Sequence, residues 1–302
     1  MSFSSEVKFE LAELQRESRH CQLAELAAII SFAGRIQLSD GMVRLQIHSE
    51  NGSLTAKYSK LLFIIFQIED PEIMGTEDTL RILESVKIWS RQSQTFKNTS
   101  TMDRRLIQSS CCKRSFIRGA FLAAGSISNP DKSYHFEIVC STIQQAEQLQ
   151  SVMNYFEVEA KIVARKKHFV VYLKEGAHIV EILNVMEAHI ALMNLENVRI
   201  LKEMRNSVNR QVNCETANIS KTVNASIRQI EAIEFLRDRA GLESLADNLR
   251  EIALIRLEQP DMPLKELGEL LDPKVGKSGV NHRLRKIVEL AQNMGFDHKG
   301  KI

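Results

Sequence analysis

The sequence predicts an α+β protein, in which two α/β repeats related by a pseudo-twofold axis are followed by an all-α domain. A helix that ends in Ala-Gly and leads into a stretch of alternating polarity occurs twice within residues 1–204. An asparagine-rich segment at 205–224 has few large apolar side chains and is typical of a linker or a loosely packed helix junction. Helical periodicity then returns in residues 225–302, so we expect a separate helical domain there.

Composition supports two folded domains without a membrane segment. The chain has 302 residues, of which 44% are hydrophobic, enough for two domains with their own cores. The longest uninterrupted apolar run, 61–66, is far shorter than the ~20 residues that span a bilayer, and charges begin at Glu6. We therefore expect a cytoplasmic protein with neither a signal peptide nor a membrane span.

The cysteines do not predict a disulfide framework or a metal site. They are odd in number and contain no C-x-x-C motif, which structural zinc sites commonly use. We expect reduced thiols, no bound metal and no cofactor. The five residues are Cys21, Cys111, Cys112, Cys140 and Cys214.

The repeat is defined by its glycines, Gly34 and Gly125, which are 91 positions apart. Each copy has a small-residue helix, an alternating run expected to form a hairpin, and a second helix. In the first copy these are 23–36, 42–48 after an Asp40-Gly41 turn, and 54–66. In the second they are 116–127, 133–139 after an Asn129-Pro130 turn, and 143–156, followed by strands at 158–164 and 169–173. The repeats therefore cover about 20–104 and 110–204.

Helices rich in Ala and Gly allow close approach at a seam between repeats, and here the sequence resembles the LAGLIDADG homing-endonuclease fold. In active members of that family an acidic residue precedes each seam glycine, and the two acids bind catalytic divalent metals. The corresponding residues here are Ala33 and Ala124, which offer no oxygen ligand. The resemblance therefore implies the LAGLIDADG fold without metal-dependent DNA cleavage, and we expect that the protein is not an enzyme. A residual metal-dependent DNA endonuclease is the alternative.

Basic residues are concentrated in three runs on a chain of net charge +2. The runs are 86–118, which contains the single acid Asp103, and 161–174 and 274–286, which contain none. Each is either a solvated face or a surface that contacts phosphate. The two hairpins, by contrast, balance Arg35, Arg44 and Lys132 against Asp40, Asp131 and Glu137. We therefore expect weak, nonselective DNA contact by the N-terminal domain.

The C-terminal residues predict a helix-turn-helix. A short helix is expected from Pro263 to Leu271, followed by a break at Asp272-Pro273 that is longer than a minimal turn. Beyond it, an inward apolar stripe recurs at helical spacing: Val280, Leu284, Ile287, Val288 and Ala291. The opposite face would meet base edges through Ser278, Asn281, His282 and Arg285. The flanking phosphate contacts would be Lys274, Lys277, Arg283 and Lys286. An ordinary solvent-exposed face is the alternative.

Several segments strongly resemble the WhiA family almost from end to end. They are Cys111-Cys112-Lys-Arg, Arg118-Gly-Ala-Phe-Leu-Ala-Ala-Gly125, Asn209-Arg210-Gln-Val-Asn-Cys-Glu-Thr-Ala-Asn218, Leu264-Lys-Glu-Leu-Gly268 and Lys277-Ser-Gly-Val-Asn-His-Arg-Leu-Arg-Lys286. The resemblance implies a bacterial, nucleoid-associated regulator of cell division, chromosome segregation and, in some lineages, sporulation, with double-stranded DNA as its partner. A further hypothesis is a scaffold whose N-terminal domain recruits a partner regulator. Pro263 departs from the family pattern, where a serine N-cap is expected.

Overall fold

The computed structural model describes residues 2–15, 17–39, 41–49, 51–97 and 100–297. The chain divides into two compact units, Met1–Glu203 and Met204–Ile302. Each unit has its own hydrophobic core. The first unit mixes helices and sheets, and the second is helical, so the predicted fold class is confirmed.

The first unit begins with helix α1 (Phe3–Glu13), which packs on both repeats. The first repeat contains the predicted helix, hairpin and second helix, and continues with a further helix and a minimal strand pair. Its elements are α2 (Arg19–Ala33), β1 (Gly34–Ser39), β2 (Met42–Ile47), α3 (Gly52–Phe66), α4 (Thr76–Ser85), β3 (Trp89–Ser90) and β4 (Thr95–Phe96). Asp40 of the predicted turn lies outside the described residues.

The second repeat begins with the same helix, hairpin and helix but has a larger sheet, and its last helix follows the second strand pair instead of preceding it. The predicted strands at 158–164 and 169–173 are present with slightly shifted bounds, as β7 and β8. Its elements are α5 (Ser110–Ala124), β5 (Gly125–Ile127), β6 (Phe136–Cys140), α6 (Ile143–Asn154), β7 (Lys161–Arg165), β8 (His168–Leu173) and α7 (Gly176–Met186). The four strands are antiparallel in the order β5-β6-β8-β7, whereas β1-β2 and β3-β4 form separate two-stranded sheets.

The two seam helices end in the same way. The backbone N–H of Gly34 donates to the carbonyl of Ile30, and that of Gly125 donates to the carbonyl of Phe121. A Cβ at Gly34 would collide with the Ile30 carbonyl, and one at Gly125 would collide with the Phe121 ring. Glycine is therefore required at both positions, because the chain turns directly from helix into strand.

Helices α2 and α5 pack closely against each other, as the small residues of the seam predicted. The contact is tightest at Gly119, where an added Cβ would lie 2.6 Å from the Glu25 carbonyl oxygen and 2.9 Å from the Ala28 Cβ. Ala28 and Gly119 are themselves 91 positions apart and so are equivalent in the two repeats. The pseudo-twofold axis therefore passes close to this pair.

A polar network lies inside the first unit beside the seam. The Arg118 side chain is fully buried, and its Nε lies 3.1 Å from Glu25 Oε1. Its Nη1 donates to Glu187 Oε2 at 3.0 Å and to the Met186 carbonyl at 3.1 Å. Lys57, also buried, lies 3.4 Å from the same Glu25 oxygen. Counting Arg118 in a basic surface run was therefore wrong, because its charge is neutralised in the core.

One long helix, α8 (His189–Ala240), contains the asparagine-rich segment 205–224. Every residue of that segment is exposed, and the segment is helical throughout. A loop there is thus not observed, because none of its asparagines is accompanied by a proline or glycine that would end a helix. Whether the segment acts as a linker stays a prediction.

The second unit packs the end of α8 against three shorter helices. These are α9 (Asp247–Glu258), α10 (Leu264–Glu269) and α11 (Lys277–Asn293). Arg256 of α9 is buried and donates two hydrogen bonds to Gln229 Oε1 of α8, at 3.1 and 2.9 Å. It also donates to the Met262 carbonyl at 2.8 Å, so one guanidinium connects α8, α9 and the loop before α10.

Candidate nucleic-acid interface

Helices α10 and α11 form the two arms of the predicted helix-turn-helix. Pro263 occupies the N-cap position of α10, and residues 270–276 separate the two helices. A Cβ at Gly268 would collide with the carbonyl oxygen of Val275. The backbone N–H of Val275 donates to the carbonyl oxygen of Gly268 at 3.0 Å. Glycine at 268 therefore allows the long turn to fold back against α10.

Helix α11 has one buried and one exposed face. The predicted inward residues are all buried in the core of the second unit: Val280, Leu284, Ile287, Val288 and Ala291. The residues proposed to read bases are all exposed: Ser278, Asn281, His282 and Arg285. The two sets alternate at helical spacing, so packing of the apolar stripe turns the polar face outward.

The cations around this face differ in their surroundings. Lys274, Lys277 and Lys286 are exposed. Arg283 is half-buried, and its Nη1 lies 3.4 Å from the Asn248 carbonyl. Arg285 Nε lies 3.3 Å from Glu289 Oε1 one turn later, and its side chain is 78% exposed. Such exposed pairs contribute little free energy, so Arg285 can exchange this partner for another.

The N-terminal end of α11 also favours anions. Its N-cap is Gly276, which offers no side-chain cap, and no acidic residue lies in its first turn. The first-turn N–H groups and the helix dipole therefore present partial positive charge beside Lys274 and Lys277.

The hairpin of the first repeat presents a polar face. Arg35 pairs in register with Gln46, and Gln37 pairs with Arg44, which places all four exposed side chains on one face. They line a depression of about 730 Å³ that also contains two acids, Asp70 and Glu72. The two arginines are therefore offset by two carboxylates within the same depression.

In the second repeat an acidic residue, Glu137, lies on strand β6 of the sheet. Glu137 Oε2 lies 3.0 Å from His135 Nε2 and 3.2 Å from Arg165 Nη1. Partial burial opposes ionisation of Glu137, but the hydrogen bond from His135 and the charge of Arg165 outweigh it and lower the pKa of the carboxyl group. Arg165, from one of the basic runs, is thus already paired with an anion.

The positions that hold catalytic acids in active homing endonucleases lie at the C-terminal ends of the seam helices. Ala33 is the last residue of α2 and Ala124 the last of α5, and both are half-buried. Within the part of the chain that the structure describes, the one group of three or more candidate metal ligands lies elsewhere, at the N-terminal ends of these helices. It consists of His20, Cys21, Cys111 and Cys112.

Sequence reasoning missed this group because it searched for a C-x-x-C spacing. The ligands instead come as two adjacent pairs, one in each repeat, and the shared spacing of 91 residues was the signal that could have found them. Burial, together with the charge of neighbouring Cys21 and Cys111 thiolates, raises the pKa of the Cys112 thiol to about 12. Cys140 is buried apart from the group, and Cys214 is exposed on α8.

Fold and surface together define a two-repeat α/β unit joined to a helix-turn-helix unit, and family comparisons agree. Residues 19–81 match the model of the WhiA N-terminal LAGLIDADG-like domain. Residues 113–205 match the WhiA LAGLIDADG-like domain. Residues 208–291 match the WhiA C-terminal HTH domain.

The chain belongs to the WhiA family. It is 48% identical to the "Probable cell division protein WhiA" of Alkaliphilus oremlandii, over 100% of this chain and 99% of that protein. It is 46% identical to the protein of the same name from Lachnoclostridium phytofermentans, over 97% of this chain and 99% of the relative.

A solved structure has the same fold. The crystal structure of full-length DUF199/WhiA from Thermatoga maritima matches 98% of this chain and 100% of that chain, with a TM-score of 0.54 and 24% identity. In the described part of the present chain, even the 52-residue α8 lacks a stretch apolar enough to cross a bilayer.

Proposed function

We propose that the chain is a sequence-specific DNA-binding transcriptional regulator that acts in cell division and has no enzymatic activity. The observation that carries this proposal is the exposed polar face at the start of α11. Ser278, Asn281, His282 and Arg285 offer hydroxyl, amide, imidazole and guanidinium groups of the kind that hydrogen-bond base edges in the major groove. The names of the relatives support the role in division.

The cations around this face would position the helix. Lys274, Lys277 and Lys286 are free to contact phosphate, and the α11 N-terminus adds its dipole. Arg283 would act differently, because its bond to the Asn248 carbonyl connects α11 to α9. Its first role in the proposed interface is therefore to orient α11, with phosphate contact as a second role.

A recruiting role for the N-terminal unit is a second candidate. Phe3, Phe9 and Ile190 line an apolar groove of about 430 Å³ between α1 and α8 of that unit. Phe9 is 56% exposed and Ile190 is 69% exposed, so the groove presents a contiguous apolar patch. The groove would bind an apolar segment of a partner regulator independently of α11.

Two variants of α11 test the DNA-binding proposal. Arg285→Ala should weaken binding to the specific site by about 1–3 kcal/mol and blur preference at one base pair. Lys277→Ala should weaken all sequences alike and reduce the salt slope by roughly one unit. Arg237→Ala, on α8 and already paired with Asp238, removes the same charge away from this face and is the control.

Binding is measured as titrations of a specific and a scrambled duplex at several salt concentrations, with the specific site taken from genome-wide mapping. If Arg285→Ala and Lys277→Ala reduced specific and random binding by the same factor, the assignment of Arg285 to bases would be wrong. If neither differed from Arg237→Ala, α11 would not be the DNA-binding helix.

A further inference from the structure

One histidine and three cysteines that the proposed DNA-binding function does not involve lie together where the two seam helices begin. His20 and Cys21 are in the first turn of α2, and Cys111 and Cys112 are in the first turn of α5. One nitrogen and three sulfur atoms all lie within 4.8 Å of one another. His20 Nδ1 is 3.1 Å from Cys112 Sγ and 3.4 Å from Cys21 Sγ.

The group is built symmetrically by the repeat. A shift of 91 residues, which relates Gly34 to Gly125, also relates His20 to Cys111 and Cys21 to Cys112. Each repeat thus contributes two adjacent ligands from the same turn of the same helix. The pseudo-twofold axis that brings the helices together brings these pairs together as well.

Two nitrogen–sulfur distances within the group are close to those of a tetrahedral zinc site. Zinc–sulfur bonds of about 2.3 Å and zinc–nitrogen bonds of about 2.0–2.1 Å place ligand atoms about 3.8 Å apart for two sulfurs and about 3.6 Å apart for nitrogen and sulfur. The two nitrogen–sulfur distances here lie within about half an ångström of that value. Three thiolates and one imidazole are also a common ligand set of structural zinc sites.

The surroundings fit the charge of such a site. Zinc with three thiolates and a neutral imidazole carries one net negative charge, and the site lies at the positive ends of two helix dipoles. The N-cap residues Ser18 and Ser109 make no side-chain cap hydrogen bond that would compete for the first-turn N–H groups. Ser115, in the next turn of α5, accepts a hydrogen bond from Arg118 Nη2 at 3.0 Å, which holds this side chain in place.

Access to the group is from one side. Cys21 and Cys112 are buried, Cys111 is half-buried and His20 is exposed. The ion would therefore enter past His20, whose ring would close the site after binding. Four protein ligands suit a closed structural site, because they leave no open coordination position for a substrate.

We propose that His20, Cys21, Cys111 and Cys112 bind one zinc ion that joins the two repeats at the start of the seam. On binding, the three thiols release their protons to solvent and the imidazole binds through Nδ1, with no change of oxidation state. The ion would stabilise the pairing of α2 with α5 at the ends opposite Ala33 and Ala124.

The experiment measures zinc in the full chain purified without a polyhistidine tag from zinc-supplemented cells. We expect about one zinc per chain, and cobalt substitution should produce the visible and near-ultraviolet bands of a tetrahedral thiolate site. Removing the zinc with a chelator should lower Tm, and adding zinc should restore it. Cys111→Ser and His20→Ala should each weaken zinc affinity by more than about 100-fold.

Two cysteines outside the group provide controls. Cys140→Ala matches the buried ligands and Cys214→Ser the more accessible ones, and both should retain full zinc. His20→Ala keeps the test valid if a buried-cysteine variant unfolds, because His20 is exposed. Equal zinc in His20→Ala, Cys111→Ser and the controls would overturn the proposal. So would metal-free protein from supplemented cells, or a disulfide between two of these cysteines in freshly isolated protein.

Discussion

Arg118 Nε of α5 lies 3.1 Å from Glu25 Oε1 of α2, and both side chains are almost completely buried. Lys57 of α3 lies 3.4 Å from the same carboxylate oxygen. Glu25 is therefore shared by two buried cations, one from each repeat, and Arg118 has a second carboxylate partner in Glu187 at 3.0 Å. The pseudo-twofold axis does not generate a second copy of this ion pair, because the residues equivalent to Glu25 and Arg118 are Phe116 and Ala27. It distinguishes the two repeats in an otherwise symmetric pair of helices.

The first prediction is that Glu25→Ala strongly destabilises the N-terminal unit. The substitution leaves Arg118 and Lys57 buried without their shared anion, and we expect a loss of about 3–5 kcal/mol in the free energy of unfolding. Urea denaturation of the full chain measures it. Glu13→Ala removes the partner of Lys60 from an exposed pair, 3.7 Å apart, and should cost about 0–1 kcal/mol. Equal losses in the two variants would contradict a role for burial.

A second prediction concerns the close approach of the seam helices. In Gly119→Ala the new Cβ would meet the Glu25 carbonyl at 2.6 Å and Ala28 at 2.9 Å, so α2 and α5 must separate. We expect a destabilisation of about 1–3 kcal/mol, seen as a lower Tm. Gly52→Ala is the matched control, since nothing lies within 4 Å of a Cβ there. It should be neutral or slightly stabilising, and a similar loss in both variants would argue against steric conflict at the seam.

We further expect no cleavage of supercoiled plasmid with Mg²⁺ or Mn²⁺. Ala33 and Ala124 provide no oxygen to hold a hard cation at the ends of the seam helices. Nicking that co-purifies with the protein through several columns and disappears with EDTA would refute this expectation. The double variant Ala33→Asp with Ala124→Asp tests whether the scaffold alone can support metal binding there.

The stability of the second-repeat sheet should depend on the ionisation of Glu137. Because the folded pKa of this carboxyl group lies below its unfolded value of 4.5, the ionised form stabilises the fold. That contribution is fully present above pH 4.5 and is lost as the pH falls through the folded pKa. Urea midpoints of wild type and Glu137→Gln should therefore differ at pH 7 and converge in acid, whereas a constant difference would exclude this linkage.

A last prediction is that the helix-turn-helix unit supplies nearly all sequence selectivity. On the sheet faces of the first unit, Arg35 and Arg44 share a depression with Asp70 and Glu72, and Arg165 is paired with Glu137. A fragment ending near residue 204 should bind DNA weakly and without preference at ~0.15 M salt. A fragment starting near residue 224 should keep the preference with lower affinity. Selective binding by the N-terminal fragment would show that its sheets still read DNA.

Local sequence patterns predicted most elements because each depends on neighbours within a few residues. The Ala-Gly helix ends, the hairpins and the inward stripe of α11 follow from periodicity and from the conformational freedom of glycine. The observed bounds of β7 and β8 differ from the predicted ones by up to three residues. The second strand pair of the first repeat, β3 and β4, has only two residues in each strand. Strand length depends on packing against other elements, which local pattern does not contain.

By itself, the sequence determined that there are two repeats, that oxygen ligands are missing at positions 33 and 124, and that a polar face starts the last helix. Only the tertiary structure decided that Arg118 is buried and not part of a basic surface, and that residues 205–224 lie within one exposed helix. It also decided that His20 and Cys21 meet Cys111 and Cys112. These residues are about 90 positions apart, and their contact follows from how closely α2 and α5 cross, which small residues at the seam permit but local periodicity does not specify.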